Sequence, residues 1–412
     1  MTWRDAMTPL RNRNFAWYFA SRFSNTLGGT MAQIALTFAV LDLTDSAGAL
    51  GQVLAARTIP MVLFLLFGGV IADRFPRTLV LQLSNVLSAL TQGLVAWLVI
   101  SGTAELWMII ALEALNGTVW AVSFPAMQSM VPQLVRREQL QPANALLSLS
   151  RGGLAVLGPT LGALLVVTVG SGWALAFDAL TWLVATALLM PVRIPPRPPA
   201  EEGSSTWRDL REGWSLFVGT TWLWVVVLAF GVLNAIEAGA WLTLGPAVAD
   251  RTFGAGDWGT VLSAESFGLL LMTVIMLRVG FRFPLRAGML GMCCMSVPML
   301  MLGLHPAVAP LAVLAFVSGA GVEIFSIGWS LAMQENIDEE MLSRASSYDA
   351  LGSFVAMPVG QIVYGPLGDA FGYRPVLVTS GLVFVAVCLL TLTSRSVRDL
   401  RRAPTPIAEP VS

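Results

Sequence analysis

Ionisable residues inside apolar segments are the first candidates for chemistry in this chain. Each lies within a run of apolar residues long enough to cross a lipid bilayer, where an unpaired, unhydrated charge is energetically costly. Such residues are candidates for function, although each also has a structural interpretation as a member of a salt bridge or a hydrogen bond. The acids are Glu113, Asp178, Glu237, Glu265, Glu323 and Asp349, and the bases are Arg22, Arg57 and Arg151.

The two halves of the chain hold these charges in different proportions. The first half has three embedded bases and two embedded acids, whereas the second half has four acids and no embedded base. At least some of the second-half acids must therefore pair with the first half, face water, or stay protonated. A carboxyl group that keeps its proton at neutral pH and releases it on the other side of a membrane is what proton coupling requires.

Composition places these residues in a membrane protein. The chain of 412 residues is 56% hydrophobic and 12% charged, whereas soluble domains contain about 25% charged residues. An apolar surface of that extent has to be solvated by lipid. The net charge of −1 argues against a nucleic-acid partner.

The residue types that several other chemistries need are missing. All 24 basic residues are arginines, so a phosphate-binding loop ending in lysine is excluded. The cysteines lie inside apolar runs without metal-ligand spacing, and the one histidine, His305, has no ligand partner nearby in sequence. No nucleophile–base pair of the kind a membrane-embedded enzyme needs is evident. We therefore predict no metal, no cofactor and no enzymatic activity.

Twelve apolar runs predict twelve transmembrane helices and an all-α fold. With a cytoplasmic N-terminus, nineteen arginines fall on the inner side and only Arg251 and Arg374 on the outer side, as the positive-inside rule requires. The exclusive use of arginine is typical of a GC-rich bacterial genome, so we predict a multi-pass protein of a bacterial cell membrane with both termini cytoplasmic. The runs are approximately residues 15–41, 49–72, 78–101, 106–132, 142–169, 172–192, 220–248, 257–277, 285–304, 307–334, 342–368 and 373–394.

Short repeated segments indicate a duplicated chain. Three segments recur at nearly the same offset: Thr2–Asp5 as Thr206–Asp209, Arg74–Pro76 as Arg282–Pro284, and Ala126–Gln128 as Ala332–Gln334. Each half then holds six spans in the same orientation, which predicts two six-helix bundles related by a pseudo-twofold axis along the membrane normal. The predicted units are an N-terminal bundle (1–192), a cytoplasmic linker with an amphipathic helix (193–219), a C-terminal bundle (220–394) and a cytoplasmic tail (395–412).

The connection between the second and third spans contains a motif. Its sequence is Gly69-x-x-x-Asp73-Arg74-x-x-Arg77, between two apolar runs. This pattern resembles the corresponding loop of the major facilitator superfamily of secondary transporters. The resemblance implies that Asp73 lies near the N-terminus of span 11 and that the two arginines pair with nearby acids or carbonyls when the inner side is closed. The second copy has Phe281 in place of the acid, so only the first loop is expected to act as a gate.

Span 5 carries a glycine–proline motif. Gly158-Pro159-x-x-Gly162 resembles the core of the signature of the antiporter branch of that superfamily, and it departs from the signature at Leu154 and Ala163, where glycine is expected. The motif predicts a kinkable helix with a thin face for close packing at the interface between the halves. The structural alternative is ordinary packing of small residues.

The whole chain is similar to the multidrug-type, enterobactin-exporter-like bacterial facilitators. The similarity is carried by residues 125–135, 144–151 and 342–352. It implies a monomer in the lipid bilayer that exports a small, partly hydrophobic molecule, such as a drug or siderophore, in exchange for protons. Proton-coupled uptake and a transport-inactive sensor or scaffold remain the alternatives, because the span-5 motif is the only local feature that separates export from uptake.

Depth and the family's cavity rank the embedded acids. Glu323 lies about 16 residues into span 10, near the midplane at a rise of ~1.5 Å per residue. Glu237 lies in the outer half of span 7, one turn after Asn234 and on the same face. In the family, spans 1, 4, 7 and 10 line the cavity, which favours these two acids and Glu113 for proton carriage. The remaining acids rank lower: Glu265, Asp349 and, near the outer surface of a usually peripheral span, Asp178. Aromatic residues on cavity-type spans suit a bulky, partly apolar compound: Trp120, Phe124, Phe230, Trp241, Phe316 and Phe325.

Overall fold

The computed structural model describes residues 7–74, 76–128, 130–136, 139–193, 206–276, 282–337 and 339–401. Within them, twelve helices are long and apolar enough to cross a membrane, which confirms the predicted all-α architecture. We number these helices α1 Arg13–Thr44, α2 Ala47–Arg74, α3 Arg77–Ser101, α4 Leu106–Gln128, α5 Leu140–Val169, α6 Ser171–Leu189, α7 Thr221–Asp250, α8 Gly254–Met276, α9 Pro284–Leu304, α10 Val308–Asn336, α11 Glu339–Phe354 continued by Met357–Phe371, and α12 Tyr373–Thr391.

The ends of the helices follow from local residue chemistry. The Asn12 side chain accepts hydrogen bonds from two N–H groups of the first turn of α1, which would otherwise have no partner. Asp45, with φ of 47°, ends the same helix in the left-handed conformation. Gly102, Gly170 and Gly372 also have positive φ and form the tight connections after α3, α5 and α11.

Helix α7 contains a wide segment that the periodicity of the sequence does not predict. Residues Glu237–Leu244 form a π-helix, in which the backbone bonds run to the fifth residue back. The cause lies in Pro246, which has no N–H to close an α-helical turn on Leu242. The Thr243 hydroxyl donates to the Ala238 carbonyl at 2.8 Å, and this bond stabilises the wide turn. The widening changes which side chains of α7 share a face.

The helix pairs obey the predicted twofold relation. Within the first half, α2 packs on α4, α3 on α6 and α1 on α5; the second half repeats these pairs as α8 on α10, α9 on α12 and α7 on α11. Between the halves, α2 packs on α11 and α5 packs on α8. In the duplicated halves α2 corresponds to α8, and α5 corresponds to α11. The α2–α11 contact is therefore the symmetry equivalent of the α5–α8 contact, and the interface has the pseudo-twofold symmetry of a duplicated bundle.

The closest contacts between the halves lie toward one end of the bundle. This end holds the α1–α2, α7–α8 and α11–α12 connections and is the outer end in the predicted topology. Gly48 and Gly365 bring the backbones of α2 and α11 together, because a Cβ on Gly365 would lie 2.5 Å from the Gly48 nitrogen. Between α5 and α8, the Thr160 and Ser263 hydroxyls are hydrogen bonded at 2.8 Å. Small and hydroxyl side chains at these points allow the close approach.

The amphipathic helix predicted after the linker forms as Thr206–Gly219. Its aromatic residues Trp214 and Phe217 pack on Tyr348 of α11, with ring centroids 5.7 and 5.9 Å from the tyrosine ring. The preceding linker residues 194–205 lie outside the described part of the chain. The helix is therefore attached to the C-terminal half through aromatic contacts.

Candidate functional site: charge clusters in the two halves

A buried carboxyl–arginine pair occupies the N-terminal half. The carboxyl of Glu113 on α4 is fully buried, with Oε2 3.7 Å from Nη1 of Arg57 on α2. Gln92 on α3 donates to Oε1 of the same carboxyl at 3.1 Å. The pair forms because Gly117, one turn after Glu113, lets α4 approach the backbone of Arg57. The Arg57 side chain is 41% exposed, so only the carboxyl side of the pair is buried.

Asp178 lies near the same cluster, although its low rank as a proton carrier stays a prediction. Its placement near the outer surface of a peripheral span predicted little involvement, but only 2% of the residue is exposed. It lies within electrostatic range of both Arg57 and Glu113. Gly28 of α1 packs directly against it, since a Cβ there would lie 2.5 Å from Oδ1. That oxygen has no hydrogen-bond partner among the described residues.

The C-terminal half contains a different arrangement around two acids. Glu265 on α8 accepts a hydrogen bond at 3.0 Å from the indole N–H of Trp241. Glu237 lies within electrostatic range of Glu265. The π-helical segment of α7 holds both Glu237 and Trp241, and Trp258 packs on Trp241 with ring centroids 5.0 Å apart. Two carboxyls from α7 and α8 therefore approach each other in an aromatic environment without an arginine beside them.

The other two acids of this half also bind neutral donors. The Thr273 hydroxyl donates to Glu323 at 2.8 Å. Asp349 accepts from the Trp329 indole at 2.9 Å and from the Ser353 hydroxyl at 3.3 Å. Among the described residues, none of the four second-half acids forms an ion pair with an arginine. The sequence allowed these acids to pair with the first half, to face water or to stay protonated. Among the described residues, pairing with a first-half arginine does not occur in this conformation.

Asn234 does not support Glu237 as its position one turn earlier suggests. Its amide donates to the Ser353 carbonyl at 3.0 Å and joins α7 to α11. The backbone from Asn234 to Glu237 is α-helical, so the two residues keep the relation that the spacing predicts, but the Asn234 amide is bonded to Ser353. The partners that the sequence analysis missed are Gln92, Trp241 and Thr273; the first was detectable as an amide inside an apolar run.

Aromatic side chains stack on each other in both halves. Phe230 of α7 stacks on Phe325 of α10 with centroids 4.1 Å apart, and Trp120 stacks on Phe124 within α4 at 4.8 Å. Phe316 packs on Phe267 of α8. Trp241 differs from the others because it is only 1% exposed, so it supports Glu265 from inside the packed bundle.

The glycine–proline motif of α5 uses its two faces differently. Gly158 and Gly162 pack on α1 of the same half, where Thr30 and the Met31 backbone leave no space for a Cβ. The face toward α8 is formed by Pro159 and by Ala163, one of the two departures from the family signature.

Across that interface, a Cβ on Gly259 of α8 would lie 2.7 Å from the Pro159 carbonyl oxygen. The glycines of the motif therefore serve packing within the first half, and α8 supplies the glycine between the halves. The motif therefore contacts the other half through Pro159 and Ala163, and its glycines contact α1.

The predicted gate falls largely outside the described residues. The side chains of Gly69, Asp73 and Arg74 are not described, and neither is Phe281 of the second copy. The backbone shows that α2 ends at Arg74 and that Arg77 begins α3 after Pro76. The motif thus lies at the turn between two helices, and its contacts to span 11 stay a prediction.

Arg22 and Arg151 lie apart from the Arg57 cluster. Arg22 of α1 and Arg151 of α5 line one cavity together with Tyr18. The two guanidinium groups lie within electrostatic range of each other. The embedded bases therefore form two separate groups, one with carboxyls and one without.

At the opposite, predicted outer end, one ion pair joins the halves. Arg251 at the end of α7 lies 3.3 Å from the Asp45 carboxylate at the end of α1. The same guanidinium stacks over the Tyr373 ring at 4.7 Å. The two arginines that the sequence assigned to the outer side therefore differ, because Arg251 makes a contact between halves.

A duplicated bundle of twelve spanning helices with buried charges at its centre defines a polytopic membrane transporter. The family comparison agrees, because the model described as Major Facilitator Superfamily matches residues 18–360. The chain belongs to this superfamily.

Two named relatives are distant but match along nearly the whole chain. The chain is 24% identical to the multidrug efflux pump Tap of Mycobacterium tuberculosis, over 96% of this chain and 97% of that protein. It is 25% identical to the enterobactin exporter EntS of Escherichia coli, over 95% of this chain and 94% of that protein.

Two solved structures show the same fold. The nucleoside transporter NupG superposes with a TM-score of 0.72 at 12% identity, covering 92% of this chain and 98% of NupG. A bacterial homologue of the iron transporter ferroportin in an inward-facing state superposes with a TM-score of 0.69 at 16% identity, covering 93% and 99%.

Proposed function

We propose that this transporter exports a small, partly hydrophobic molecule, such as a drug or siderophore, in exchange for protons. It would act as a monomer in a bacterial cell membrane with both termini in the cytoplasm, and without enzymatic activity. The observation that carries the proposal is that, among the described residues, none of the four acids of the C-terminal half is paired with an arginine, and the three that are hydrogen bonded have only neutral donors.

The physical argument concerns the cost of an isolated carboxylate. Inside a bilayer, a carboxyl without a cation is held in its neutral form by desolvation, and contact with water allows it to ionise. Glu237 and Glu265 oppose simultaneous ionisation, because two like charges in one site repel each other. A pair of this kind holds one proton firmly and releases it when its surroundings change from dry to wet.

The two acids take separate roles in the proposal. Glu265 is oriented by Trp241, and Glu237 has no hydrogen-bond donor of its own among the described contacts, so Glu237 is the group that exchanges a proton with water. Glu323 lies on the cavity-type helix α10 beside Thr273 and is the second candidate carrier. The Arg57–Glu113 pair supplies fixed charge, because the arginine stays protonated at any physiological pH.

The cargo class follows from the stacked aromatic residues and from the relatives. Stacked rings on α4, α7 and α10 offer flat apolar surfaces, which bind planar or bulky apolar groups. Tap is described as a multidrug efflux pump and EntS as an enterobactin exporter. These descriptions favour export over proton-coupled uptake for this chain.

Alternating access would use a contact at each end of the bundle. At the predicted outer end, Arg251 and Asp45 join the halves in the described conformation. At the inner end, we assign the same role to Asp73, Arg74 and Arg77 when that side closes. Asp73→Asn should then shift the population toward the inward-facing state. Unchanged labelling of cysteines introduced at the inner end of the bundle would contradict the assignment.

Transport in everted membrane vesicles tests the function directly. Vesicles from cells that overproduce the protein should accumulate ethidium when they acidify internally, and collapse of the proton gradient should stop the accumulation. Glu237→Gln and Glu323→Gln identify the carrier, and Glu105→Gln, in an exposed loop, is the matched control.

The direction and the presence of transport separate the alternatives. Loss of coupled accumulation in Glu237→Gln or Glu323→Gln, with the control unaffected, supports the proposal. Accumulation only in right-side-out vesicles would replace export by uptake. Absence of movement for ethidium, an uncharged antibiotic and a catecholate siderophore would leave the sensor or scaffold role.

A further inference from the structure

The cavity beside Arg22 and Arg151 brings two embedded arginines together without a carboxylate in its lining. It lies between α1, α4 and α5, on the side of the bundle that the topology predicts to be inner, and its volume is about 120 Å³. Polar side chains at its wall come from Tyr18, Asn144 and Ser150. The volume suits a single charged group and is too small for a whole drug-sized molecule.

The lining carries two guanidinium groups and no carboxylate. Neither guanidinium forms an ion pair or a hydrogen bond with any other described residue, although Arg22 is largely enclosed by its neighbours. The Tyr18 hydroxyl donates to the Met127 carbonyl at 3.3 Å and so is oriented away from the arginines as a donor. Arg151 is exposed and Arg22 is partly buried, and the two like charges repel each other unless a counter-ion joins them.

We propose that Arg22 and Arg151 form a binding site for an oxyanion, a carboxylate or phosphate group carried by an otherwise apolar molecule. Guanidinium groups present paired N–H donors that match both oxygens of such a group, and the Asn144 amide and Ser150 hydroxyl add further donors. The site lies apart from the Arg57–Glu113 cluster, where the cation already has its carboxylate. It thus selects for negative charge, whereas the stacked aromatic residues select only for apolar bulk.

Two sources of the oxyanion share this chemistry. One is the transported molecule, and this version rests on the proposed export function. The other is the phosphate of an anionic lipid headgroup that enters the cavity from the predicted inner side. The binding site itself depends on neither version.

The test compares two probes that differ in charge alone. Naphthalene-2-carboxylate and naphthalene-2-carboxamide have the same apolar body, and their binding to the purified full-length protein in neutral detergent is measured by calorimetry. The wild type should bind the carboxylate about tenfold more tightly than the amide, the value of one charge-assisted hydrogen bond. Arg22→Gln and Arg151→Gln should each remove that preference, and Arg22→Lys should retain part of it.

A matched control and a folding readout accompany these variants. Arg286→Gln changes an exposed arginine at the start of α9, on the same predicted side, and should keep the preference. Thermal unfolding of each variant in the same detergent shows whether it is folded. A folded Arg22→Gln and Arg151→Gln pair that both retain the tenfold preference would overturn the proposal, and so would a wild type without any preference.

Further arms identify the source and keep the two proposals separate. In nanodiscs, a carboxylate affinity that falls when phosphatidylglycerol replaces phosphatidylcholine assigns the site to the lipid headgroup. Carboxylate accumulation in everted vesicles that is lost in Arg22→Gln assigns it to the cargo. Arginine-dependent binding without any transport supports the oxyanion site and contradicts the export function. Ethidium export without a carboxylate preference supports the export function and contradicts the oxyanion site.

Discussion

The two halves of this duplicated bundle solve the problem of buried charge in opposite ways. In the N-terminal half, Glu113 and Asp178 surround Arg57, so the acids have a permanent cation nearby. In the described part of the C-terminal half, Glu265, Glu323 and Asp349 accept hydrogen bonds from indole and hydroxyl groups only, and Glu237 has no arginine partner. The helix pairing is nevertheless the same in both halves.

The difference shows that the duplicated fold constrains packing and leaves charge free to diverge. The acids of the first half have a cation nearby, and an arginine keeps its charge at any physiological pH. Under the proposed function, the first half supplies this fixed positive charge and the second half supplies the carboxyls that exchange protons. The comparison predicts that substitutions in the acidic site of the second half reduce transport, whereas substitutions in the Arg57–Glu113 pair of the first half reduce stability.

The largest effect on transport is expected at Glu265, an acid without an arginine partner among the described residues. Glu265→Gln should reduce proton-coupled accumulation in everted vesicles to the level of vesicles without the protein. Its thermal stability should change little, because glutamine still accepts the Trp241 N–H bond. Transport is measured with ethidium and stability by thermal unfolding in detergent. Coupled transport at the wild-type level would show that Glu237 exchanges its proton without a carboxyl at Glu265, and would break the comparison on the C-terminal side.

The next effect concerns stability in the N-terminal half. Arg57→Ala leaves Glu113 buried without its cation, and Asp178 loses its favourable charge partner as well. Loss of one partner from a buried pair costs roughly 3–5 kcal/mol, and we expect about 2–3 kcal/mol because the arginine is partly exposed. The measurement is the free energy of unfolding in mixed micelles. The double variant Arg57→Ala/Glu113→Gln should recover much of the loss, and failure to recover would show that the arginine acts through packing.

The sequence predicts the helices well because their cause is local. Lipid requires long apolar runs, and the arginines fall on one side, so the twelve spans follow from composition and spacing alone. The embedded charges are also found by inspection. Short repeats predict the pseudo-twofold relation that the interface pairs α2–α11 and α5–α8 display.

The partners of those charges are not predictable in the same way, because they are set by contacts between helices distant in sequence. Glu113 meets Gln92 and Arg57 only after α2, α3 and α4 have packed. Asp178 appears peripheral on its own span, and the approach of Gly28 buries it. The wide turn in α7 follows from Pro246, a signal that hydrophobic periodicity does not register.

A smaller effect is expected where the halves touch. Gly259→Val would place methyl groups against the Pro159 carbonyl and Ala163, and overpacking of this kind costs about 1–3 kcal/mol. The cost should appear as a lower unfolding temperature in detergent. Gly153→Ala is the matched control on the other side of the same helix pair, since a Cβ there meets nothing within 4 Å. Equal unfolding temperatures for both variants would mean that α5 and α8 are not packed this closely in the membrane.

The smallest effect is expected at the contact between Arg251 and Asp45, which joins a charge from each half in water. Their side chains are 48% and 83% exposed, and such pairs contribute about 0–1 kcal/mol. Arg251→Ala should therefore raise the outer-open population by a factor of at most about five. Gln361→Cys, which is buried against Gly51 between α2 and α11, reports this opening through its rate of labelling by an impermeant maleimide, with the native cysteines replaced by alanine.

Salt gives the internal control for this last prediction. High ionic strength screens an exposed pair, so 0.5 M sodium chloride should raise the labelling rate of the protein with Arg251 intact and leave the Arg251→Ala variant unchanged. A large, salt-independent effect of Arg251→Ala would instead assign the contact to the stacking of the guanidinium on Tyr373. In that case the connection between the halves at this end would depend on an interaction within the C-terminal half, and the charge of Asp45 could be removed without opening it.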